Sequence, residues 1–175
     1  MRIAILGRSE ALYDTACLLM LKGNEIGAIV TAKAAPEYTR NESDFMQLAR
    51  THNIPYRADP WIGKQEGIDF IDSCTDLALG ISFNYPNIIP QTAIDIFPLG
   101  ILNAHAGDLP RYRGNACQAW AIINGEEKIG LCIHKMVGGE LDSGDIIARD
   151  YYSLHVDSRV GQAWDWMGRR IPEMF

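Results

Sequence analysis

Positive charge is scarce in this chain. Lys and Arg total 16 against 22 Asp and Glu, giving a net charge of −6. That balance supplies no electrostatic footprint for nucleic acid or an anionic membrane, so neither is expected as a partner. Cysteine is sparse as well: Cys17, Cys74, Cys117 and Cys132 include no C-x-x-C pair. Neither a zinc site nor a redox pair is indicated, and no metal is expected. The mostly apolar neighbours of these cysteines point to buried, reduced thiols. No apolar run is long enough to cross a bilayer. Met1-Arg2 leads straight into a strand-like run with no cleavage site, so a reducing cytoplasm is the expected location. Internal repeats and low-complexity tracts are missing too. What is present is 175 residues with 47% apolar content, enough for one domain with a full core.

Apolar periodicity predicts strands at 1–6, 25–31, 54–56, 76–83 and 100–105. Helices are expected at 10–22, from an N-cap at Ser43 to about His52, in part of 61–74, around 86–96, and at 116–124. In the last of these, Trp120 and Ile123 are expected to pack into the core. Two further strands, 129–136 and 146–152, are joined through Val137-Gly138-Gly139, and a last helix covers 158–168. The β-α-β-α-β order of the first half argues for an α/β fold with a mostly parallel sheet and helices on both faces. The second half has strands without long helices between them, which predicts an antiparallel extension. Ligands of such sheets sit beyond the carboxyl ends of the strands, where Asn103, His105 and the loop after Phe83 fall.

Asn103-Ala104-His105 and the later Leu141-Asp142-Ser143-Gly144-Asp145-Ile146 carry the chemistry. An amide can hold a developing oxyanion, an imidazole can take a proton, and a carboxylate can orient the imidazole. Asn103 and His105 are two apart, so on an extended segment they share a side. Such a trio suffices to move an acyl group onto an amine.

The run Asn103-Ala104-His105-Ala106-Gly107-Asp108-Leu109-Pro110-Arg111-Tyr112-Arg113-Gly114 resembles the signature of folate-dependent formyltransferases. Three further blocks follow in the family's order: 120–126, 130–136 and 141–147. The resemblance implies a Rossmann-like formyltransferase fold and N10-formyltetrahydrofolate as formyl donor. The block Trp120-Ala121-Ile122-Ile123-Asn124-Gly125-Glu126 looks like the nucleotide-sugar N-formyltransferases. Gly7-Arg8-Ser9-Glu10-Ala11 departs from the phosphate loop of the glycinamide-ribonucleotide branch. A chain ending at Phe175 leaves no room for the C-terminal domain of the tRNA branch, so residues 1–175 are expected to form a single catalytic domain. Gly114-Asn115-Ala116-Cys117-Gln118 also departs from the usual wording.

By resemblance, Asn103, His105 and Asp142 are the catalytic residues. Phe83, Asn84, Tyr85 and Ile88, with Gly138 and Gly139 across from them, would enclose the pterin, and Gly107 and Leu109 would line the formyl side. Arg8, Ser9 and Tyr112 are assigned to the acceptor, Arg8 as a phosphate candidate. His134 is expected to be a structural histidine. The expected reaction formylates the primary amine of a nucleotide-linked amino sugar, supplying surface polysaccharide assembly, and a homodimer is a fair expectation. Methionyl-tRNA, glycinamide ribonucleotide or a hydroxyornithine-like amine stay open as acceptors, and so does a non-catalytic folate-binding module.

Overall fold

A computed structural model describes all of residues 1–175. Strands β1 (Arg2–Gly7), β2 (Glu25–Thr31), β3 (Tyr56–Arg57), β4 (Leu79–Phe83), β5 (Ile101–His105), β6 (Lys128–Lys135) and β7 (Ile146–Ser153) form one sheet in the order β3-β2-β1-β4-β5-β6-β7. The first five are parallel; β6 and β7 are antiparallel to their neighbours. The sheet is therefore parallel through the first half and antiparallel at the far edge, as expected.

Both faces are buried, and the period-two pattern shows how. On β1, Ile3 and Ile5 join one core while Ala4 and Leu6 join the other. The first core takes α1 (Glu10–Leu21), α2 (Glu42–His52), α5 (Cys117–Ile123) and α6 (Val160–Met174) through residues such as Leu12, Phe45, Ala121 and Met167. The second takes α3 (Gln65–Ser73) and α4 (Gln91–Ile94) through Ile71, Ala93 and Ile94. Ile5 has no exposed surface, so truncating it to Ala costs about 2–5 kcal/mol.

Several boundaries differ from the sequence reading. Helix α2 is capped by Asn41, not Ser43: Asn41 Oδ1 accepts from the Ser43 N–H at 2.8 Å and Asp44 Oδ2 from the Asn41 N–H at 2.8 Å, a reciprocal capping box. Strand β3 is shifted to Tyr56–Arg57. Helix α3 begins only at Gln65, and its Gly67 lies so close to the preceding turn that a Cβ would meet the Ile62 Cα at 2.5 Å. Helix α6 runs past Gly168 to Met174, because Ala163, Met167 and Ile171 continue one buried stripe. Trp120 and Ile123 are corrected as well. They are 55% and 69% exposed, since the short α5 buries the face carrying Cys117, Gln118 and Ala121. Three cysteines are buried, Cys17 is half-buried, and all four are unpaired.

Candidate active site

The parallel register sets Gly7 level with Phe83 and Phe83 level with Ala104, so β1, β4 and β5 end on one edge. The strand order reverses here, with β1 between β2 and β4, which is where open α/β sheets leave a crevice. Gly7 makes the approach possible. Its φ is +136°, and a Cβ there would lie 2.0 Å from the Phe83 carbonyl oxygen. A cavity of 660 Å³ opens over this edge, within the usual size of a small-molecule site.

Asn103, His105 and Asp142 all line that cavity. The first two come from β5, two residues apart; Asp142 comes from the loop between β6 and β7. His105 Nδ1 lies 3.3 Å from Asp142 Oδ1, and both side chains are nearly buried. On the other side of the ring, Nε2 lies 2.7 Å from the Tyr112 carbonyl oxygen. A carbonyl and a carboxylate only accept, so both ring nitrogens act as donors and the ring is an imidazolium. Burial by itself would push the His105 pKa down. The Asp142 carboxylate, joined by Cys117 and the Tyr112 carbonyl, overrides burial and raises it to about 10. Burial likewise pushes Asp142 up, but the His105 pair and the Gly114 N–H at 2.7 Å prevail and hold it below the usual carboxylate value.

Asn103 is set from behind by His134. The His134 Nδ1–H donates to the Ser143 carbonyl at 2.9 Å, leaving Nε2 to accept from Asn103 Nδ2 at 3.1 Å. Burial lowers the His134 pKa and keeps this ring neutral. One amide hydrogen of Asn103 is thereby fixed, and the second remains for a ligand. His134 is buried and hydrogen-bonded through both ring nitrogens, and its contact orients Asn103.

Backbone strain gathers at the same place. Six non-glycine residues have positive φ, and three of them, Asn84, Ala116 and Asp142, line the cavity. Left-handed backbone at Ala costs about 1–2 kcal/mol and persists where the surroundings impose it. Asn84 Nδ2 is also buried without a partner beside Phe83 and Tyr85.

The remaining expected site residues divide. Arg8, Phe83, Asn84 and Tyr85 line the cavity; Ser9, Ile88, Gly107, Leu109, Tyr112, Gly138 and Gly139 do not. Gly107 backs the imidazole, where a Cβ would lie 2.5 Å from His105 Nε2. Tyr112 gives its carbonyl to His105 while its hydroxyl donates to Glu126. Leu109 is buried and Ile88 is exposed. The Gly138 N–H donates to Gln91 Oε1 at 2.9 Å, and Ser9 is buried with its Oγ unpartnered. Arg111 pairs with Glu126. The sequence reading missed Tyr38, Cys117 and Trp164, all of which line the cavity. Only Cys117 carried a signal, the unusual wording of 114–118. Its Sγ lies 3.6 Å from His105 Nε2.

The chain is a doubly wound sheet with an Asn–His–Asp trio at its switch point, and comparison with known proteins gives it a family. The formyl transferase family model matches residues 1–163, and the chain belongs to that family. Methionyl-tRNA formyltransferase of Geobacter sulfurreducens is 33% identical over 85% of this chain and 47% of its own length. That of Solibacter usitatus is 31% identical over 85% and 48%. The chain thus spans about half the length of these curated relatives. Among solved structures, phosphoribosylglycinamide formyltransferase from Bacillus halodurans superposes with a TM-score of 0.79 at 19% identity, covering 100% of this chain and 91% of its own. A sugar N-formyltransferase from a Shewanella species gives 0.74 at 16% identity, with 99% and 66% covered. At such identities these two likenesses speak for the fold alone.

Proposed function

We propose that this protein moves a formyl group from N10-formyltetrahydrofolate to the primary amine of a nucleotide-linked amino sugar. The observation that carries the reaction is the trio: Asn103, a cationic His105 and Asp142 converge in one cavity of a formyl transferase fold. The residues present fit a folate. Asn84 Nδ2 is a buried donor without a partner, beside the rings of Phe83 and Tyr85, and the edge of a flat heterocycle would satisfy it. When bound, the donor supplies an activated formyl carbon.

The protonation state revises the division of labour expected from sequence. A ring already protonated on both nitrogens is poorly suited to take the amine's proton. His105 instead offsets the negative charge that develops on the formyl oxygen, and the proton that the departing nitrogen takes up is the one released by the amine, passed on through Asp142 or water. The free amide hydrogen of Asn103 donates to the same oxygen, a contact worth on the order of 10²–10³ in rate. Asp142 keeps the imidazolium charged and accepts the amine's proton, directly or through water. The amine nitrogen gains the formyl group and loses a proton, and the folate nitrogen gains one, so the exchange balances.

The sugar assignment rests on the 120–126 block. A second reading takes methionyl-tRNA as acceptor, as the names of the sequence relatives suggest. The test is incubation with N10-formyltetrahydrofolate and a panel of nucleotide-linked 3-amino and 4-amino sugars, methionyl-tRNA and glycinamide ribonucleotide, read by mass spectrometry. A formylated amino sugar, lost in His105→Ala, is expected. Formylated methionyl-tRNA alone would overturn the sugar acceptor and leave the chemistry.

A further inference from the structure

Tyr38 and Trp164, 126 positions apart in the sequence, build one wall of the cavity. Tyr38 lies on the loop after β2 and Trp164 in the first turns of α6. Their rings are parallel to within 1°, with centroids 6.0 Å apart. The row extends at both ends. Phe83 lies 6.1 Å from Trp164, and the Arg8 guanidinium sits 5.7 Å from the Tyr38 ring. Glu10 ties the two sides together. Its Oε1 accepts from the Trp164 indole N–H at 3.1 Å and its Oε2 from the Thr39 N–H at 3.2 Å. The wall is thus preorganised, by a carboxylate that spans the loop and the helix.

Its charge argues for a ligand class. Glu37 and Asp165 line the same cavity, both are exposed, and neither has an ion-pair partner. Arg8 is the only cation among the lining residues besides His105. Two of its donors are already engaged: Nε with the Asn84 carbonyl at 3.2 Å and Nη1 with the Lys33 carbonyl at 2.8 Å. A phosphate would meet two free carboxylates against one guanidinium, two of whose five donors are already engaged. A hydroxylated ring carrying an amine suits the wall better. Its C–H groups pack against the apolar side of the row, and its hydroxyl or ammonium hydrogens bond the carboxylates.

We infer that this wall is the acceptor subsite. It takes the amino-sugar ring itself, packed against the side of the Tyr38–Trp164 row with its polar hydrogens on Glu37 and Asp165, and any linked phosphate stays outside the cavity. This rests on the sugar reading of the function. The test pairs binding with turnover. Saturation-transfer NMR of a nucleotide-linked 4-amino sugar is recorded on the wild type, Trp164→Phe, Trp164→Ala and Tyr38→Ala, with acceptor and donor KM measured alongside. The strongest saturation is expected on the pyranose C–H protons and the weakest on the base. Trp164→Phe keeps this pattern. Tyr38→Ala raises acceptor KM roughly 10-fold and leaves donor KM within about twofold, while Trp164→Ala, which also uncovers Phe83, raises acceptor KM by more than donor KM. Tyr38 is on a loop, so its variant decides the matter if Trp164→Ala does not fold.

A sugar that is formylated with acceptor KM unchanged in both alanine variants, or with the base carrying the saturation, overturns the subsite and leaves the function standing. A sugar that binds as described without being formylated supports the subsite and overturns the function. If no amino sugar binds, both fail.

Discussion

Asp142→Asn changes almost no volume, yet it should disable the site, and the geometry says how. Asp142 Oδ2 accepts from the Gly114 N–H at 2.7 Å, while Oδ1 faces His105 Nδ1 at 3.3 Å. An amide has one acceptor oxygen. Turned toward Gly114, it presents its NH₂ to Nδ1, which must then give up its proton. Nε2 keeps its own for the Tyr112 carbonyl. The imidazolium becomes a neutral imidazole, and with only burial and weaker partners left its pKa falls from about 10 to the ordinary 6.5 or below. That fall corresponds to an attraction on the order of 5 kcal/mol, at the upper end of the range for breaking a buried pair. The rate should drop by about 10²–10⁴, in kcat more than in KM. Nitrogen-15 NMR titration of the histidines reads the state directly. A wild-type His105 that titrates near 6.5, or an Asp142→Asn protein whose His105 still titrates near 10, would refute the reasoning. The stability difference between the two proteins follows the signs of the shifts. His105 has a raised pKa, so its share is full below 6.5 and fades as pH rises toward about 10. Asp142 has a lowered pKa, so its share is full above 3.8 and fades as pH falls further. The difference, measured by chemical denaturation, is therefore largest between those two ordinary values.

Three further perturbations separate positioning from packing. His134→Ala releases the Asn103 amide and leaves the Ser143 carbonyl without its donor; kcat should fall about 10-fold or more with donor binding retained, at a stability cost of roughly 2–4 kcal/mol in urea titrations. Gly107→Ala puts a methyl 2.5 Å from His105 Nε2 and from the Tyr112 carbonyl; circular dichroism should show a folded protein, and the loss of activity should approach that of His105→Ala. Ala116→Gly relieves a left-handed backbone at φ 56° and should stabilise by about 1 kcal/mol, raising Tm by roughly 2–4 °C; a lower Tm would mean that Ala116 is not strained.

Local pattern made the sheet and the trio legible. The buried runs of β1, β2 and β4 are continuous and apolar because both faces of the sheet are covered, and Gly7 ends the first of them. Asn103 and His105 are close in sequence and share a strand, so their convergence needed only the period of two. Asp142 entered through the family wording around it. What stayed illegible depends on contacts far apart in the chain. Nothing near Tyr38 announces Trp164, and nothing in the sequence ties Glu10 to both. His105's protonation state was hidden for a similar reason: it is set by the Tyr112 carbonyl and by Asp142, 37 positions away. Trp120 misled because an apolar residue on a two-turn helix carries too little periodicity to reveal which face is buried.

The most direct test of the central claim is single-turnover transfer of a labelled formyl group from N10-formyltetrahydrofolate, in the wild type and in Asn103→Ala and His105→Ala. The expected result is label on the amine of the acceptor, with each variant slower by at least about 100-fold while still binding the donor. Label that remains on the bound folate in the wild type, or variants that transfer it at the wild-type rate, would contradict the assignment of this site.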